Sequence, residues 1–95
     1  MKRQGDLLIV PVEKIPEHAK RKNTLILAEG EATGHKHELD SGELYEIRGT
    51  LYFDVKGGVA NLKHEEHGTV TFEPGQYQVV KQREYVPGAW RDVED

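Results

Sequence analysis

Short runs of alternating apolar and polar residues, separated by glycines and prolines, extend along most of the chain. Ten glycines and four prolines interrupt the sequence at short intervals, a spacing that favours many short strands over long helices. We predict an all-β, mostly antiparallel fold of about eight short strands, arranged as a small barrel or a sandwich with little helix. The predicted strands are residues 6–12, 24–28, 35–39, 44–48, 51–55, 59–64, 69–72 and 76–86.

The segments between these strands are polar or rich in glycine. Residues 13–23 are mostly polar and contain Pro16, which favours a loop or one helical turn. Gly-Thr at residues 49–50 and Lys-Gly-Gly at residues 56–58 lie between apolar runs. They predict a tight turn at the first position and a hairpin turn at the second.

The length of the chain predicts one domain over residues 1–95 with a limited core. Residues 87–95 are expected to form a loosely packed tail, in which Trp90 contacts the body or a partner. No apolar run approaches the roughly 20 residues that span a bilayer. No signal-peptide pattern follows the basic N-terminus. We therefore expect a cytoplasmic protein with no membrane partner.

The charge of the chain disfavours nucleic acid as a partner. The formal net charge is −4, whereas proteins that bind duplexes usually present a clustered basic face. The one basic run, residues 20–22, is interpreted as a solvated turn.

Two pairs of histidines are the strongest chemical signal in the sequence. His35 and His37 are two residues apart on a predicted strand, so their side chains project from the same face. Leu39 continues that face, which therefore points inward. One metal ion is able to bridge two imidazoles placed in this way.

The second pair, His64 and His67, follows another predicted strand. Ala60, Leu62 and His64 share one face, and His67 lies in a turn that redirects it toward His64. The two pairs together offer three or four nitrogen ligands, and a site with three protein ligands leaves one position open. The chain has no cysteine, so the divalent ion is equally Zn, Fe, Ni, Mn or Cu.

Several carboxylates lie close to these histidines in sequence. They are expected to act as an alternative ligand, as a hydrogen-bond partner of a ligand or as a general base. These residues are Glu29, Glu31, Glu43, Glu65 and Glu66.

Other interpretations of the polar residues stay open. The four histidines could be hydrogen-bonded in a polar pocket, or they could face solvent without a role, as His18 is expected to do. Arg83 and Tyr85 share a strand face. They line a pocket for an anionic ligand, or they are a paired surface arginine and a packed tyrosine.

Residues 30–37, followed by Glu43 and Gly49, resemble the first motif of the cupin family. Residues 68–75 resemble the opening of the second cupin motif. Gln76, Tyr77 and Gln78 stand where that motif has its histidine.

The cupin resemblance implies a small β-barrel with metal ligands at His35, His37 and Glu43. His64 or His67 would then replace the missing histidine. The chain is also similar to short, uncharacterised bacterial or phage-encoded proteins. They share G-E-x-T-G-H-x-H, H-E-E-H-G and Q-R-E-Y stretches, which match residues 30–37, 64–68 and 82–85. That similarity implies no activity.

We therefore expect a small metal-binding β-barrel with a histidine-lined pocket for a small molecule, and leave open whether it catalyses a reaction. The alternative is a non-catalytic interaction or structural module, encoded by a phage or mobile element or forming a homodimer. In that case the histidines stabilise the fold or the interface.

Overall fold

The computed structural model describes residues 1–29 and 34–81, which fold into two antiparallel β-sheets. The all-β prediction is confirmed, and the described residues contain no helix. Among them, therefore, no helix is long and apolar enough to cross a membrane. The strands are β1 (Lys2–Gln4), β2 (Leu7–Val12), β3 (Lys20–Arg21), β4 (Ile26–Glu29), β5 (Lys36–Leu39), β6 (Glu43–Ile47), β7 (Thr50–Val55), β8 (Ala60–Lys63), β9 (Val70–Phe72) and β10 (Gly75–Lys81).

The two sheets pack against each other as in a sandwich, and no closed barrel forms in residues 1–29 and 34–81. The larger sheet has the strand order β1-β2-β10-β7-β6-β3, and the smaller sheet has the order β4-β5-β8-β9. Every pairing is antiparallel. The cupin-like barrel is therefore not what the described residues form.

Apolar side chains from both sheets form one shared core. Strand alternation selects them: Leu7 and Ile9 of β2 are buried, whereas Leu8 and Val10 between them are only half-buried. Their removal from water supplies most of the stabilisation, at about 25 cal/mol per Å² of apolar surface. The buried apolar residues are Leu7, Ile9, Leu27, Leu39, Leu44, Phe53, Val55, Ala60, Leu62, Phe72 and Val79.

Two strands, β1 and β3, are not visible in the hydrophobic pattern. β1 is entirely polar, and it forms a strand because it pairs with β2, with Gln4 opposite Leu7. β3 lies within 13–23, for which the prediction of a loop or helical turn is wrong at these two residues. Its Arg21 pairs with Tyr45 at the edge of the larger sheet. Pairing with a neighbour outweighs the local preference of such short polar segments.

Both predicted turns need correction. The tight turn lies one residue earlier than predicted, at Arg48 and Gly49, because Ile47 pairs with Thr50. Arg48 and Gly49 both have positive φ, at 53° and 80°, as a two-residue type I′ hairpin requires. Residues 56–58 do connect two strands, β7 and β8. They do not form a hairpin, because these strands belong to different sheets.

The pairing of β5 with β8 brings the two histidine pairs to one place. Glu38 pairs with Lys63 and Leu39 with Leu62, so continuing the ladder by one residue sets His37 beside His64. β1 runs close to this end of the smaller sheet, because Gln4 donates hydrogen bonds to its backbone.

Some sequence predictions fall outside the described residues. The last part of the predicted strand 76–86 and the tail 87–95 belong there, as do Arg83, Tyr85 and Trp90. Glu31 also lies outside the described residues.

Candidate metal centre

The four predicted histidine ligands lie together at one end of the smaller sheet. We call His35, His37, His64 and His67 the four-histidine group. The ring centroids of His37 and His64 are 4.3 Å apart, and those of His64 and His67 are 4.5 Å apart. The His35–His64 and His37–His67 distances are 5.6 and 6.1 Å. His64 is therefore the central ring, with the other three around it.

His37 is the most enclosed member, with 7% of its surface exposed. Its Nδ1 lies 2.8 Å from Oε1 of Gln4, which is itself only 2% exposed. The Gln4 amide nitrogen donates to the carbonyl oxygens of Leu62 and Gly68 at 2.8 and 2.9 Å. These two bonds assign the amide orientation, so Oε1 accepts a hydrogen bond that the Nδ1–H group of His37 donates. The neutral His37 ring therefore keeps its free lone pair on Nε2.

The surroundings of His37 favour its neutral form. Burial lowers the pKa of His37 below 6.5, and the positive charge that His64 and His67 would carry lowers it further. The carboxylates of Asp6 and Glu65 act in the opposite direction. A neutral imidazole is the form that coordinates a metal ion.

His64 is held differently, because its Nδ1 accepts hydrogen bonds from the backbone. The donors are the N–H groups of Glu66 and His67, at 3.0 and 3.2 Å. The ring thereby caps the turn that follows β8. Since Nδ1 is an acceptor, a neutral His64 carries its proton on Nε2. In this geometry His64 has no free lone pair for a metal ion.

Gly5 closes the group from the side of β1. Its φ is +60°, and a Cβ atom added to it would lie 2.8 Å from His67 Nε2 and 3.2 Å from His37 Cε1. A side chain at this position would therefore push between the two rings. Glycine accepts both the backbone conformation and the close approach of the imidazoles.

The glutamates of the 64–67 turn contact the start of β5. Glu66 Oε2 lies 3.6 Å from Nδ1 of the half-buried His35. Glu65 Oε1 accepts the backbone N–H of Lys36 at 2.9 Å. That bond lowers the pKa of the Glu65 carboxyl, with further help from its own backbone N–H. Both contacts hold the turn against the first histidine pair.

The other predicted carboxylates are placed less favourably. Glu29 is exposed at the end of β4, where it pairs with Lys36. Glu43 belongs to the larger sheet, where its Oε1 accepts a hydrogen bond from the Tyr45 hydroxyl at 2.8 Å and its Oε2 lies 3.6 Å from Arg21. Its carboxylate is therefore committed to partners outside the four-histidine group.

The group does not form a ready-made metal site. Within residues 1–29 and 34–81, no three His, Asp or Glu side chains are arranged so that they could hold a metal ion. The hydrogen bonds of His64 supply one physical reason, since its lone pair points to backbone N–H groups. Side-chain rotation is therefore required before one ion can contact several rings.

Sequence reasoning missed Gln4 and Gly5. Gln4 lies in a short polar strand, and its bond to His37 spans 33 positions of sequence. Gly5 follows it in a turn where the sequence pattern gave no sign of a site. A polar residue followed by glycine beside an apolar strand is too common a pattern to reveal such a contact.

Comparison with known proteins gives one family and no annotated relative. The sequence model of a domain of unknown function matches residues 3–82. No curated protein and no solved structure matches the chain. The residues described above, except Met1 and Lys2, therefore lie within the extent of one family domain.

Proposed function

We propose that this chain, which belongs to the family described as Domain of unknown function (DUF8820), binds a divalent transition-metal ion through its four-histidine group. His37, His64 and His67 are the proposed ligands. His35, beside Glu66, is the proposed fourth ligand or a hydrogen-bonding neighbour of the site.

The convergence of imidazoles from two paired strands is the observation that carries this proposal. With zinc–nitrogen distances of about 2.0–2.1 Å, the centroids of two imidazoles on one ion lie at most about 6 Å apart. The three distances among His37, His64 and His67 are 4.3, 4.5 and 6.1 Å. The three rings therefore lie close enough to share one ion once they rotate and His64 leaves its turn hydrogen bonds.

Gln4 supports the same proposal, because it holds His37 with Nε2 unprotonated. Metal-binding histidines commonly donate their second ring N–H to an oxygen acceptor, which fixes the tautomer and the ring orientation. The amide oxygen of Gln4 is such an acceptor, at 2.8 Å.

His64 must give up its two turn hydrogen bonds in order to coordinate through either nitrogen. If Nδ1 binds the ion, its lone pair leaves the backbone N–H groups of Glu66 and His67. If Nε2 binds, its proton must move to Nδ1, which then repels the same donors. Metal binding and a changed backbone at Glu66 and His67 are therefore coupled.

A catalytic role has less support than binding. The cleft beside His64 has a volume of about 250 Å³, below the range of about 300–1,000 Å³ typical of small-molecule sites. Three protein ligands leave a coordination position for water or another small ligand. We therefore propose metal binding as the function and name no reaction.

The experiment is a titration of chelator-treated protein with Zn²⁺, Ni²⁺, Cu²⁺, Mn²⁺ and Fe²⁺, followed by calorimetry and by amide NMR spectra. We expect one ion per chain, with shifts at the Glu66 and His67 amides. His37→Ala and His67→Ala should each weaken binding at least about tenfold, as expected for the loss of a ligand or its support. His18→Ala removes an exposed imidazole outside the group and is the matched control.

Two results would refute the metal proposal. One is the absence of saturable binding by the native sequence with all five ions. The other is an equal loss of affinity in His18→Ala and His37→Ala, which would indicate unspecific coordination.

A structural role for the histidines is the second candidate function. It is favoured by one observation: Nδ1 of His37 and Nδ1 of His64 both form hydrogen bonds within the protein. In this case His64→Ala lowers the free energy of unfolding by about 1–2 kcal/mol through loss of the turn bonds, and added metal leaves the unfolding temperature of the native sequence unchanged. An increase of that temperature with metal favours the first candidate.

A further inference from the structure

A second cleft lies between β3 and the turn that joins β6 to β7. Its volume is about 560 Å³, which falls within the range of about 300–1,000 Å³ for small-molecule sites. It contains no member of the four-histidine group. The charged residues and the histidine that line it are His18, Lys20, Arg21, Lys22, Glu46 and Arg48.

The charges around this cleft leave a positive excess. Lys22 is paired with Glu46, at 3.3 Å between the charged atoms. Arg21 is paired with Glu43 at 3.6 Å. Within the part of the chain that the structure describes, Lys20 and Arg48 form no ion pair. The charges of Lys20 and Arg48 thus border the cleft without an acidic group at ion-pair distance among the described residues, and Glu46, opposite Lys20 in the β3–β6 ladder, is bound to Lys22.

Arg48 adopts a backbone conformation that is costly for arginine. Its φ is 53°, and it is the one non-glycine residue with positive φ among residues 1–29 and 34–81. The first central position of a type I′ turn favours asparagine, aspartate or glycine. Residues in unfavourable backbone conformations cluster at functional sites in proteins. The long cationic side chain of Arg48 lies at the edge of the cleft, where it is suited to the binding of an anion.

We propose that this cleft binds the phosphate group of a small organic phosphate. A phosphate monoester carries a charge of about −1.5 to −2 near neutral pH, which the charges of Lys20 and Arg48 balance. The guanidinium of Arg48 is able to donate two parallel hydrogen bonds to one phosphate, and His18 provides a further donor. The remaining volume accommodates the organic part of the ligand.

A small ligand fits this protein better than a polyanion does. The net charge of the chain is −4, so a long phosphate polymer would be repelled beyond the immediate cleft. Glu46 also lines the cleft. Because its negative charge neutralises Lys22, the remaining positive charge is enough for one doubly charged group and too small for a row of phosphates.

The test is an amide NMR titration of chelator-treated protein with inorganic phosphate and, separately, with glucose 6-phosphate at constant ionic strength. We expect saturable shifts confined to residues 18–23 and 46–49. Arg48→Gly should weaken binding at least about tenfold, the loss expected when a charged hydrogen-bond donor is removed. Its unfolding temperature should stay the same or rise, because glycine adopts positive φ without strain.

Lys63→Ala is the matched control, since it removes one exposed positive charge outside the cleft and should change the affinity less than twofold. Arg48→Asn is the second variant if Arg48→Gly is unstable, because asparagine also tolerates this turn position. Tighter binding of glucose 6-phosphate identifies an organic phosphate as the ligand class. Equal affinities identify free phosphate.

Three results would overturn the proposal. They are the absence of saturable shifts with both probes, an unchanged affinity in the Arg48 variants, and an equal loss in Lys63→Ala.

Discussion

Two groups of rings in this protein have similar spacing and different chemistry. Phe53, Phe72 and Tyr77 pack with centroid distances between 5.1 and 5.4 Å, and the contacting rings of the four-histidine group are 4.3 to 6.1 Å apart. Phe53 and Phe72 are fully enclosed, at 0% and 1% exposure. The histidine rings lie at the end of the smaller sheet, where their nitrogens contact an amide and a turn.

The difference between the two groups concerns what fixes each ring. Hydrocarbon rings are held by burial and shape, so any well-fitting apolar neighbour serves. An imidazole also needs a partner for each nitrogen, and an enclosed nitrogen without one costs free energy. Gln4 supplies such a partner for Nδ1 of His37, and the backbone N–H groups of the 64–67 turn supply one for Nδ1 of His64. The packing of the aromatic rings therefore depends on side-chain volume, whereas the arrangement of the four-histidine group depends on which ring nitrogens carry protons.

Phe53→Ala should have the largest effect on stability. Phe53 packs on both Phe72 and Tyr77, and its truncation leaves a cavity in the shared core. We expect the free energy of unfolding to fall by about 3–5 kcal/mol in chemical denaturation. Tyr52→Ala, on the same strand but only half-buried, should cost clearly less. Equal losses in the two variants would mean that the aromatic rings are not the centre of the core.

Gln4→Met should have an intermediate effect on stability and a specific effect on the histidines. Methionine keeps the size of the side chain but leaves His37 Nδ1 and the carbonyl oxygens of Leu62 and Gly68 without the amide. We expect the free energy of unfolding to fall by about 1–3 kcal/mol. Metal affinity should fall about 10–100-fold, the usual cost of removing a partner of a ligand.

The readout that separates a positioning role of Gln4 from general destabilisation is the tautomer of His37. Nitrogen NMR of the metal-free native protein should show the proton on Nδ1, and Gln4→Met should lose that preference. Gln78→Met, at a half-buried glutamine of β10, is the control. An unchanged His37 tautomer in Gln4→Met would contradict the assigned hydrogen bond.

The smallest expected effect is a dependence of stability on pH through His37. Burial lowers its pKa in the folded protein below the ordinary value of 6.5, so the unfolded chain binds more protons between these two pKa values. Stability is therefore unaffected by this group above about pH 6.5 and falls as the pH drops from there to the folded pKa. Denaturation of chelator-treated protein at several pH values measures this slope.

His37→Gln removes the titrating group, so its stability should depend less on pH over that interval. Phe53→Ala should keep the slope of the native sequence, because it leaves the imidazoles in place. If His37→Gln retains the full slope, the dependence arises from other groups.

Much of the fold could be predicted from the sequence, since strand alternation marks buried positions directly. Leu39 and Leu62 were expected to point inward and are buried. β1 and β3 could not be predicted, because polar segments become strands only when a neighbour supplies the pairing. The turn at Arg48 was misplaced by one residue because the alternating pattern was followed through residues 44–48, which left Gly49 and Thr50 between the two predicted strands.

The imidazoles of the candidate site could be predicted from the sequence, but their hydrogen-bond partners could not. The two-residue spacing of His35 and His37 sets both on one strand face, and this follows from strand geometry alone. The contact between Gln4 and His37 depends on the meeting of two sheets, which local pattern does not encode. The acceptor role of His64 depends on the path of the backbone after β8, and the sequence reveals only that a turn is present.

Gly5 and Gln4 show that the segment containing the four imidazoles does not by itself fix their arrangement. A segment covering residues 34–68, transplanted into another host, would carry all four rings and both glutamates of the turn. It would leave behind the amide that orients His37 and the bare backbone that gives His37 and His67 room. What distinguishes this group from a simple histidine tag is thus contributed by β1 and the turn after it, and Gln4 lies 33 positions before His37.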